Sequence, residues 1–356
     1  MLAALASCYH PGVIRLYTWT GGTPSFATVA YGMRQALEAH KLCAGVVELD
    51  KLSHSTEPAG QPGADAPVAI AVGNPNAIIS AWRMGNHRER WLLLAPNSNG
   101  LPPVAAEFIR GAAESGALTG LLAPSIWAKK VLEQFEVPVH LCPHGIDRVG
   151  LDRVGTHHVH NEYTALHVTS TNLRRKGTRE LLEAWTHLYL PPDAKLIIAA
   201  NPMFANEAEY QCRRLGTKNV TVALTGHLNR RDYLRELMAV DLVIQPSRAE
   251  GFGLVPLEAR CIGVPVVATA CTGHADHVPG PGSVVIPHGP DADSDDYPGS
   301  MAPTVDAAAI ASAIHTAYDQ RDALRAELTQ SGSALRDVWS WPNVTGECLK
   351  KLAAKE

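Results

Sequence analysis

The chain has 356 residues, of which 46% are hydrophobic and 19% charged, and its 31 Lys and Arg against 35 Asp and Glu leave a formal net charge of -4. This length predicts about two domains, the composition excludes a disordered or fibrous chain, and the charge excludes a bulk positive field for nucleic acid or anionic membrane. The seven cysteines are scattered and contain no C-x-x-C pair, which is typical of reduced thiols in a cytosol. No apolar run is long enough to cross a membrane, so we predict a cytoplasmic protein without a transmembrane segment.

Short β-branched runs alternate along the chain with amphipathic stretches, which is typical of parallel βα units and predicts an α/β fold. In the first half the predicted strands are Val13–Thr18, Ala44–Leu49, Val68–Val72, Trp91–Ala95, Leu118–Leu122 and Val139–Cys142. The helices predicted between them are Ser25–His40, Asn76–Met84, Val104–Ser115 and Ser125–Phe135.

The periodicity stops in the polar, Gly-containing stretch Gly145–Asn161. A new alternation starts at Thr164–Thr169 and continues through predicted strands at Lys195–Ala200, Val220–Leu224, Leu242–Gln245, Val264–Ala268 and Ser283–Ile286. We therefore predict one doubly wound domain over residues 1–155 and a second over residues 156–338. Pro287–Ala302 is predicted to be a Pro/Gly/Asp loop, and Trp339 and Trp341 are expected to anchor a closing helix in an apolar groove.

Open parallel sheets bind ligands beyond the carboxyl ends of their strands, so two such domains facing each other predict a deep cleft. The segment Pro246–Thr269 is the sharpest candidate for its chemistry, since a buried strand, a glycine loop and a helix follow one another there. If the helix begins near Gly253, the amides of Gly253–Val255 point out of its N-terminus and can hold a diphosphate. Glu250 and Glu258 flank these amides and suit vicinal sugar hydroxyls, although either glutamate taken singly would be a solvated acid.

The sequence EGFGLVPLEA, Glu250–Ala259, resembles the E-x7-E signature of GT-B glycosyltransferases of family 4. Similar motifs cover His167–Trp185, Leu224–Ser247 and Leu122–Asp147. The resemblance implies the GT-B fold, in which residues 339–356 would form a helix that crosses back to the first domain. It also implies transfer of a hexose-type sugar, with retention of configuration, from a UDP- or GDP-linked donor to an acceptor hydroxyl. Such enzymes use no bound metal and no cofactor besides the donor, and the leaving phosphate is thought to act as the base.

The resemblance also implies roles for single residues. Glu250 would contact the donor sugar and Glu258 the ribose, while Lys176 would neutralise the leaving diphosphate together with Arg174 or Arg175. These arginines are candidates because Ser170 stands where the family often has an arginine. The expected phosphate and base contacts are Gly21, Gly22, Gly253, Leu254, Val255, Gly226 and His227.

Three further segments are weighed against this interpretation. Asn97, Ser98 and Asn99 stand where relatives often carry an acid or a histidine, so no acid-base residue is assigned there. Asp291–Asp296 imitates a D-x-D metal motif but lies in a Pro/Gly loop, and we interpret it as solvated. The cluster His157, His158 and His160 is interpreted as polar linker surface, so no metal site is predicted.

Several alternatives stay open from the sequence. A sugar phosphorylase or a nucleotide-sugar epimerase shares the GT-B architecture, and a non-catalytic binding module is a third option. The acceptor is open among glycans, small molecules, lipids, proteins and, as in some viral relatives, hydroxymethylated bases in DNA. The first 150 residues contain 11 basic and 11 acidic residues, so no basic groove for DNA is indicated there.

Overall fold

The computed structural model describes residues 12–18, 24–48, 66–72, 87–154, 162–169, 172–224, 228–294 and 296–354. The chain divides into two compact α/β units. The first unit takes its described residues from 1–96, 101–145 and 339–356, and the second from 97–100 and 146–338. The α/β fold class predicted from the sequence is confirmed in each unit.

The first unit contains a six-stranded parallel sheet in the order β2-β1-β3-β4-β5-β6. Its strands are β1 Ile14–Thr18, β2 Cys43–Glu48, β3 Val68–Val72, β4 Glu89–Leu93, β5 Gly120–Ala123 and β6 Val139–Leu141. Its described helices are α1 Pro24–Ala39, α2 Pro103–Glu114 and α3 Ile126–Leu132, and a 3-10 turn over Glu133–Phe135 continues α3. The helix expected at Asn76–Met84 lies outside the described residues.

The C-terminal residues of the described chain complete the first unit with a helix that follows the second unit in sequence. This helix packs along α1, where a Cβ at Gly32 would lie only 1.9 Å from Trp341 Cε2. Because glycine has no side chain, the Trp341 indole fits against the α1 backbone and is 1% exposed. His40 Nε2 also donates to Pro342 O at 2.8 Å. The expected role of Trp341 as an apolar anchor is therefore confirmed.

The second unit contains another six-stranded parallel sheet, in the order β12-β11-β10-β7-β8-β9. Its strands are β7 Thr164–Thr169, β8 Lys195–Ala200, β9 Val220–Leu224, β10 Leu242–Gln245, β11 Val266–Thr269 and β12 Ser283–Ile286. The helices are α4 Arg148–Val154, α5 Thr178–Thr186, α6 Pro202–Leu215, α7 Arg230–Met238, α8 Leu254–Cys261, α9 Ala307–Asp319 and α10 Arg321–Val338. The C-terminal helix of the first unit, Trp341–Ala353, is α11.

The chain leaves the first unit after Gly145, whereas the sequence interpretation extends the first domain to residue 155. Helix α4 belongs to the second unit because it packs against α7 and its charged side chains bond to α10. Arg148 pairs with Asp337, and Arg336 Nε lies 3.3 Å from the Asp152 carboxylate. The polar stretch that suggested a linker thus contains a helix with partners in the second unit.

The loop predicted at Pro287–Ala302 is wrong. Residues His288–Asp293 and Met301–Val305 form an antiparallel two-stranded sheet, β13 and β14. Neither strand alternates buried and exposed apolar residues, and β13 carries no large apolar side chain. The hydrophobic period that indicates a strand is therefore missing from its sequence.

Candidate active site

The predicted site residues lie at the point of the second sheet where the strand order reverses. Strands β7 and β10 are neighbours, but the chain continues from β7 to β8 on one side and from β10 to β11 on the other. The turn after β7 and the loop after β10 therefore leave the sheet side by side. Open α/β sheets bind ligands at such a switch point, beyond the carboxyl ends of the strands.

The turn after β7 carries the predicted cations and is closed by Asn172. The Asn172 side-chain Oδ1 accepts a hydrogen bond from Arg175 N at 2.9 Å, and its main-chain oxygen accepts one from Lys176 N at 3.1 Å. Gly177 ends the turn with a φ of +66°, and a Cβ there would lie 2.2 Å from Pro246 O in the neighbouring loop. Glycine therefore allows the two loops to approach each other.

Both cations of this turn converge on Glu250, in the loop after β10. Lys176 Nζ lies 2.5 Å from Glu250 Oε1, and Arg175 Nη1 lies 3.2 Å from the same oxygen. Arg175 Nη1 also donates to Ala249 O at 2.7 Å. The Lys176 and Glu250 side chains are each 10% exposed. The fold thus brings together the three residues expected to be catalytic, Glu250, Lys176 and Arg175.

The electrostatics of this cluster keep Glu250 ionised. Burial alone would raise the pKa of Glu250, but the charges of Lys176 and Arg175 outweigh it and hold that pKa well below its usual range. Burial lowers the pKa of Lys176, and the attraction of Glu250 offsets part of this effect. All contacts of the carboxylate with described residues are made by Oε1. Its second oxygen, Oε2, makes neither of these ion pairs.

Helix α8 begins at Leu254 with Gly253 as the N-cap, which confirms the helix start expected from the sequence. No side chain caps this N-terminus. Gly253 has a φ of +82°, and a Cβ there would lie 2.2 Å from the His274 ring. The amides of Leu254 and Val255 lie in the first turn, whose N–H groups have no partner within an α-helix.

Glu258 is buried within α8 rather than solvated. Its Oε1 lies 2.5 Å from Arg230 Nη2, and its Oε2 accepts a hydrogen bond from Tyr233 Oη at 3.2 Å. Burial, followed by the charge of Glu258, raises the pKa of Tyr233 well above its ordinary value. Sequence reasoning missed Arg230 and Tyr233, although both lie on one face of the helix that precedes the signature strand.

Two further histidines behind the glycine loop were also missed. His277 Nε2 donates to Phe252 O at 2.9 Å, and the ring centroids of His274 and His277 are 5.7 Å apart in an edge-to-face arrangement. Burial lowers the pKa of His274 to about 4 and that of His277 to about 3. Both rings are therefore neutral near pH 7 and support the loop without adding charge to it.

The β13–β14 hairpin is fastened to the site loop by Arg248, two residues before Glu250. Arg248 Nε donates to Pro303 O at 2.8 Å, and its Nη2 donates to Asp293 O at 3.0 Å and Ala302 O at 3.2 Å. The guanidinium thus bonds to the main chain of both strands. Its side chain contributes to the hairpin the fixed contacts that an apolar face would otherwise supply.

The loop of Asn97, Ser98 and Asn99 belongs to the second unit, where it contacts the same hairpin. Asn99 N donates to Met301 O at 3.1 Å, and Met301 N donates back to Asn99 Oδ1 at 3.0 Å. Ser98 Oγ donates to Tyr297 Oη at 3.2 Å. Their contacts within this unit are therefore with the hairpin.

The remaining predicted residues are placed apart or are not described. Arg174 is exposed, whereas its neighbour Arg175 is buried against Glu250. Six predicted positions and the histidine cluster lie outside the described residues: Gly21, Gly22, Ser170, Gly226, His227, Asp295, His157, His158 and His160. Within the described residues, no group of three or more His, Cys, Asp or Glu side chains could hold a metal ion.

Residues 162–320, which include Lys176, Glu250 and Glu258, match the family described as glycosyl transferases group 1. The sequence of this part of the chain is therefore similar to glycosyl transferases group 1. Two curated proteins that match it in sequence are named as mannosyltransferases. The GDP-mannose-dependent monoacylated alpha-(1-6)-phosphatidylinositol monomannoside mannosyltransferase of Corynebacterium glutamicum is 33% identical over 33% of this chain and 32% of that protein. The lipopolysaccharide core biosynthesis mannosyltransferase of Rhizobium meliloti is 38% identical over 30% of this chain and 31% of that protein. The matches thus span about a third of each relative's length.

Solved structures resemble this chain over almost its whole length. Sucrose-phosphate synthase of Thermosynechococcus elongatus superposes with a TM-score of 0.69 at 16% identity, over 97% of this chain and 100% of that one. The Anabaena protein HepE, solved in complex with UDP-glucose, gives a TM-score of 0.64 at 16% identity, over 96% and 99%. At this identity the likeness shows the fold alone, which is the GT-B class of two Rossmann-like units. Among the described helices, none has the length and apolar character to cross a membrane.

Proposed function

We propose that the chain is a retaining glycosyltransferase that moves a hexose from a UDP- or GDP-linked donor to an acceptor hydroxyl without a bound metal. The observation that carries the proposal is the convergence of Lys176 and Arg175 on one oxygen of Glu250, beside the N-terminus of α8. The family match adds the reaction class.

The charges of this cluster suit a sugar diphosphate. Two cations and one carboxylate leave a net positive charge in a buried place, and the amides of Leu254 and Val255 add the positive end of a helix dipole. Negative charge grows on the β-phosphate as the bond to the sugar breaks. A lysine held nearby stabilises that charge without reorganisation, which is where electrostatic catalysis is most effective.

Glu250 is proposed to hold the donor sugar through Oε2. Because Oε1 already accepts from Lys176 and Arg175, the orientation of the carboxylate is fixed before the sugar arrives. A pre-oriented acceptor lowers the entropic cost of placing the sugar at the acceptor hydroxyl.

Glu258 is proposed to contact the ribose of the nucleotide. Its carboxylate accepts from Arg230 and Tyr233, and the two oxygens have capacity for further donors such as a ribose diol. A sequence relative is named for its dependence on GDP-mannose, and a structural neighbour was solved with UDP-glucose, so both nucleotides belong in the first test.

The first experiment is a thermal-shift panel of UDP, GDP, UDP-glucose and GDP-mannose, with and without EDTA. A ligand at about 100 times its Kd raises the free energy of unfolding by about 2.7 kcal/mol, so a true donor gives a clear rise in Tm. Retention is read from the anomeric configuration of the sugar in the product by NMR. Product formation that requires added phosphate would point instead to a phosphorylase, and no shift with any nucleotide would contradict the proposal.

A variant pair tests the proposed role of Glu250. Glu250→Gln is expected to lower turnover of the donor found in the panel by about a hundredfold or more, because the fixed acceptor is lost. Glu162→Gln is the matched control, since Glu162 also pairs with a lysine of this unit but is half exposed. Circular dichroism reports whether each variant is folded at the assay temperature. Full activity of a folded Glu250→Gln protein would remove this residue from the site.

A further inference from the structure

The tip of the β13–β14 hairpin reaches the turn that carries Arg175 and Lys176. Asp296, in the loop between the two strands, accepts a hydrogen bond from Asn172 Nδ2 at 2.6 Å through its Oδ1. The carboxylate is half-buried, and Ser294 Oγ lies 3.5 Å from its other oxygen. Asp296 is therefore not the solvated loop acid that its sequence context indicated.

Four contacts connect Asp296 to Glu250 and to its neighbour Ala249. Asp296 binds the amide nitrogen of Asn172, the amide oxygen of Asn172 binds Arg175 N, and Arg175 Nη1 binds Ala249 O and lies 3.2 Å from Glu250 Oε1. The first contact joins the hairpin to the turn, the second lies within the turn, and the contacts of Arg175 join the turn to the loop after β10. The hairpin is itself held by Arg248, so the first link is anchored to the same loop that carries Glu250.

The chemistry of the amide group explains why Asp296 matters to this series. A side-chain amide has one donor end and one acceptor end, and Asn172 must present its oxygen to Arg175 N. A carboxylate accepts and does not donate, so Asp296 can bind only the nitrogen end. Asp296 thereby selects the one orientation of Asn172 that closes the turn. Without it, the amide can rotate and the turn loses its fixed hydrogen bond.

We propose that Asp296 is a positioning residue that holds the turn 172–177 closed through Asn172 and thereby keeps Arg175 directed at Glu250. Asp296 itself touches no ligand in this role. The consequence for catalysis rests on the proposed glycosyl transfer, whereas the consequence for the turn does not. The two can therefore be measured separately.

The test compares Asp296→Ala, Asp296→Asn and Asp291→Ala in the full chain. Asparagine at 296 keeps an acceptor for Asn172 and loses the charge, while Asp291 is an exposed aspartate of the same hairpin and serves as the matched control. Hydrogen exchange by mass spectrometry reports the amides of residues 172–178 without any ligand. Donor turnover and nucleotide binding are measured with UDP-glucose and GDP-mannose.

Asp296→Ala is expected to speed exchange of the 172–178 amides and to lower kcat for donor turnover by about tenfold to a hundredfold, with KM changed less than threefold. Asp296→Asn should give values between those of the wild type and Asp296→Ala in both readouts, because its amide can bind either end of the Asn172 amide. Asp291→Ala should change neither readout. Asn172→Ala should match Asp296→Ala, and the double variant should be no worse than either one, because both act through one series of contacts.

Three results would overturn the proposal: unchanged exchange of the turn in Asp296→Ala, unchanged kcat despite faster exchange, or an Asp296→Asn protein with wild-type values in both readouts. The last result would mean that the carboxylate does not select the orientation of Asn172. If no nucleotide sugar binds the wild-type chain, the proposed function fails. The exchange measurement still decides whether Asp296 holds the turn.

Discussion

Glu250 and its two cations form a buried cluster whose stability depends on all three charges. Glu250→Gln leaves Lys176 and Arg175 as like charges in a buried place. Removing one partner of such a pair costs about 3 to 5 kcal/mol, so we expect a loss of that size in the free energy of unfolding measured with urea. Lys176→Met should cost less, because Arg175 still neutralises the carboxylate.

A double-variant cycle separates the interaction between Glu250 and Lys176 from the effect that each substitution has on stability by itself. The protein with both Glu250→Gln and Lys176→Met should be more stable than Glu250→Gln alone, since one of the two unpaired charges is gone. The exposed pair of Lys195 and Glu162 provides the comparison, and Glu162→Gln should cost about 1 kcal/mol or less. If Glu250→Gln and Glu162→Gln lower the free energy of unfolding by the same amount, burial does not strengthen the Glu250 pair.

At the scale of elements, the close contact of α1 with α11 depends on a glycine. Gly32→Ala would place a methyl group 1.9 Å from the Trp341 ring, so the helices must move apart, and we expect a loss of about 1 to 3 kcal/mol. Gly111→Ala in α2 has nothing within 4 Å and should instead stabilise the chain by about 0.5 to 1 kcal/mol. The two variants should shift the midpoint of urea unfolding in opposite directions. Equal shifts would contradict the importance of the contact between Gly32 and Trp341.

The elements that the sequence predicted best are parallel strands. Strands β7, β8, β9, β10 and β12 have the predicted bounds because each is a continuous β-branched or apolar run between turn residues. The hairpin β13–β14 was missed because neither of its strands has an alternating apolar pattern in the sequence.

For the site, local motifs predicted the start of α8 and the residues Lys176, Arg175 and Glu250. They could not predict that Arg230 pairs with Glu258 or that Asp296 binds Asn172, since those partners are 28 and 124 positions apart in the chain. A pair so distant in sequence is specified by the packing of whole elements. The residue spacings typical of a helix or a strand cannot predict such a pair.

At the scale of the whole molecule, buried neutral histidines make the two units differ in their response to acid. In the second unit, burial lowers the pKa of His167 and His274 to about 4 and that of His277 to about 3. Among the described histidines of the first unit, His144 is lowered to about 3 for the same reason. In the unfolded chain, each of these histidines has a pKa of about 6.5.

Below pH 6.5 the unfolded chain therefore binds more protons than the folded one, and stability falls as the pH falls toward the folded pKa values. Each of these histidines contributes about 1.4 kcal/mol per pH unit in this window, so the three in the second unit should lower its stability more steeply than His144 lowers that of the first. The low pKa of Glu250 adds nothing to this loss of stability, because its contribution is lost only as the pH falls below about 4.3.

Hydrogen exchange at pH 7 and pH 5, with each unit analysed separately and corrected for intrinsic exchange rates, checks the difference between the units. His277→Gln should lower the number of protons taken up on unfolding of the second unit by about one. His288→Gln, at an exposed position, should leave this number unchanged. Equal acid sensitivity of the two units would show that the buried histidines do not control it.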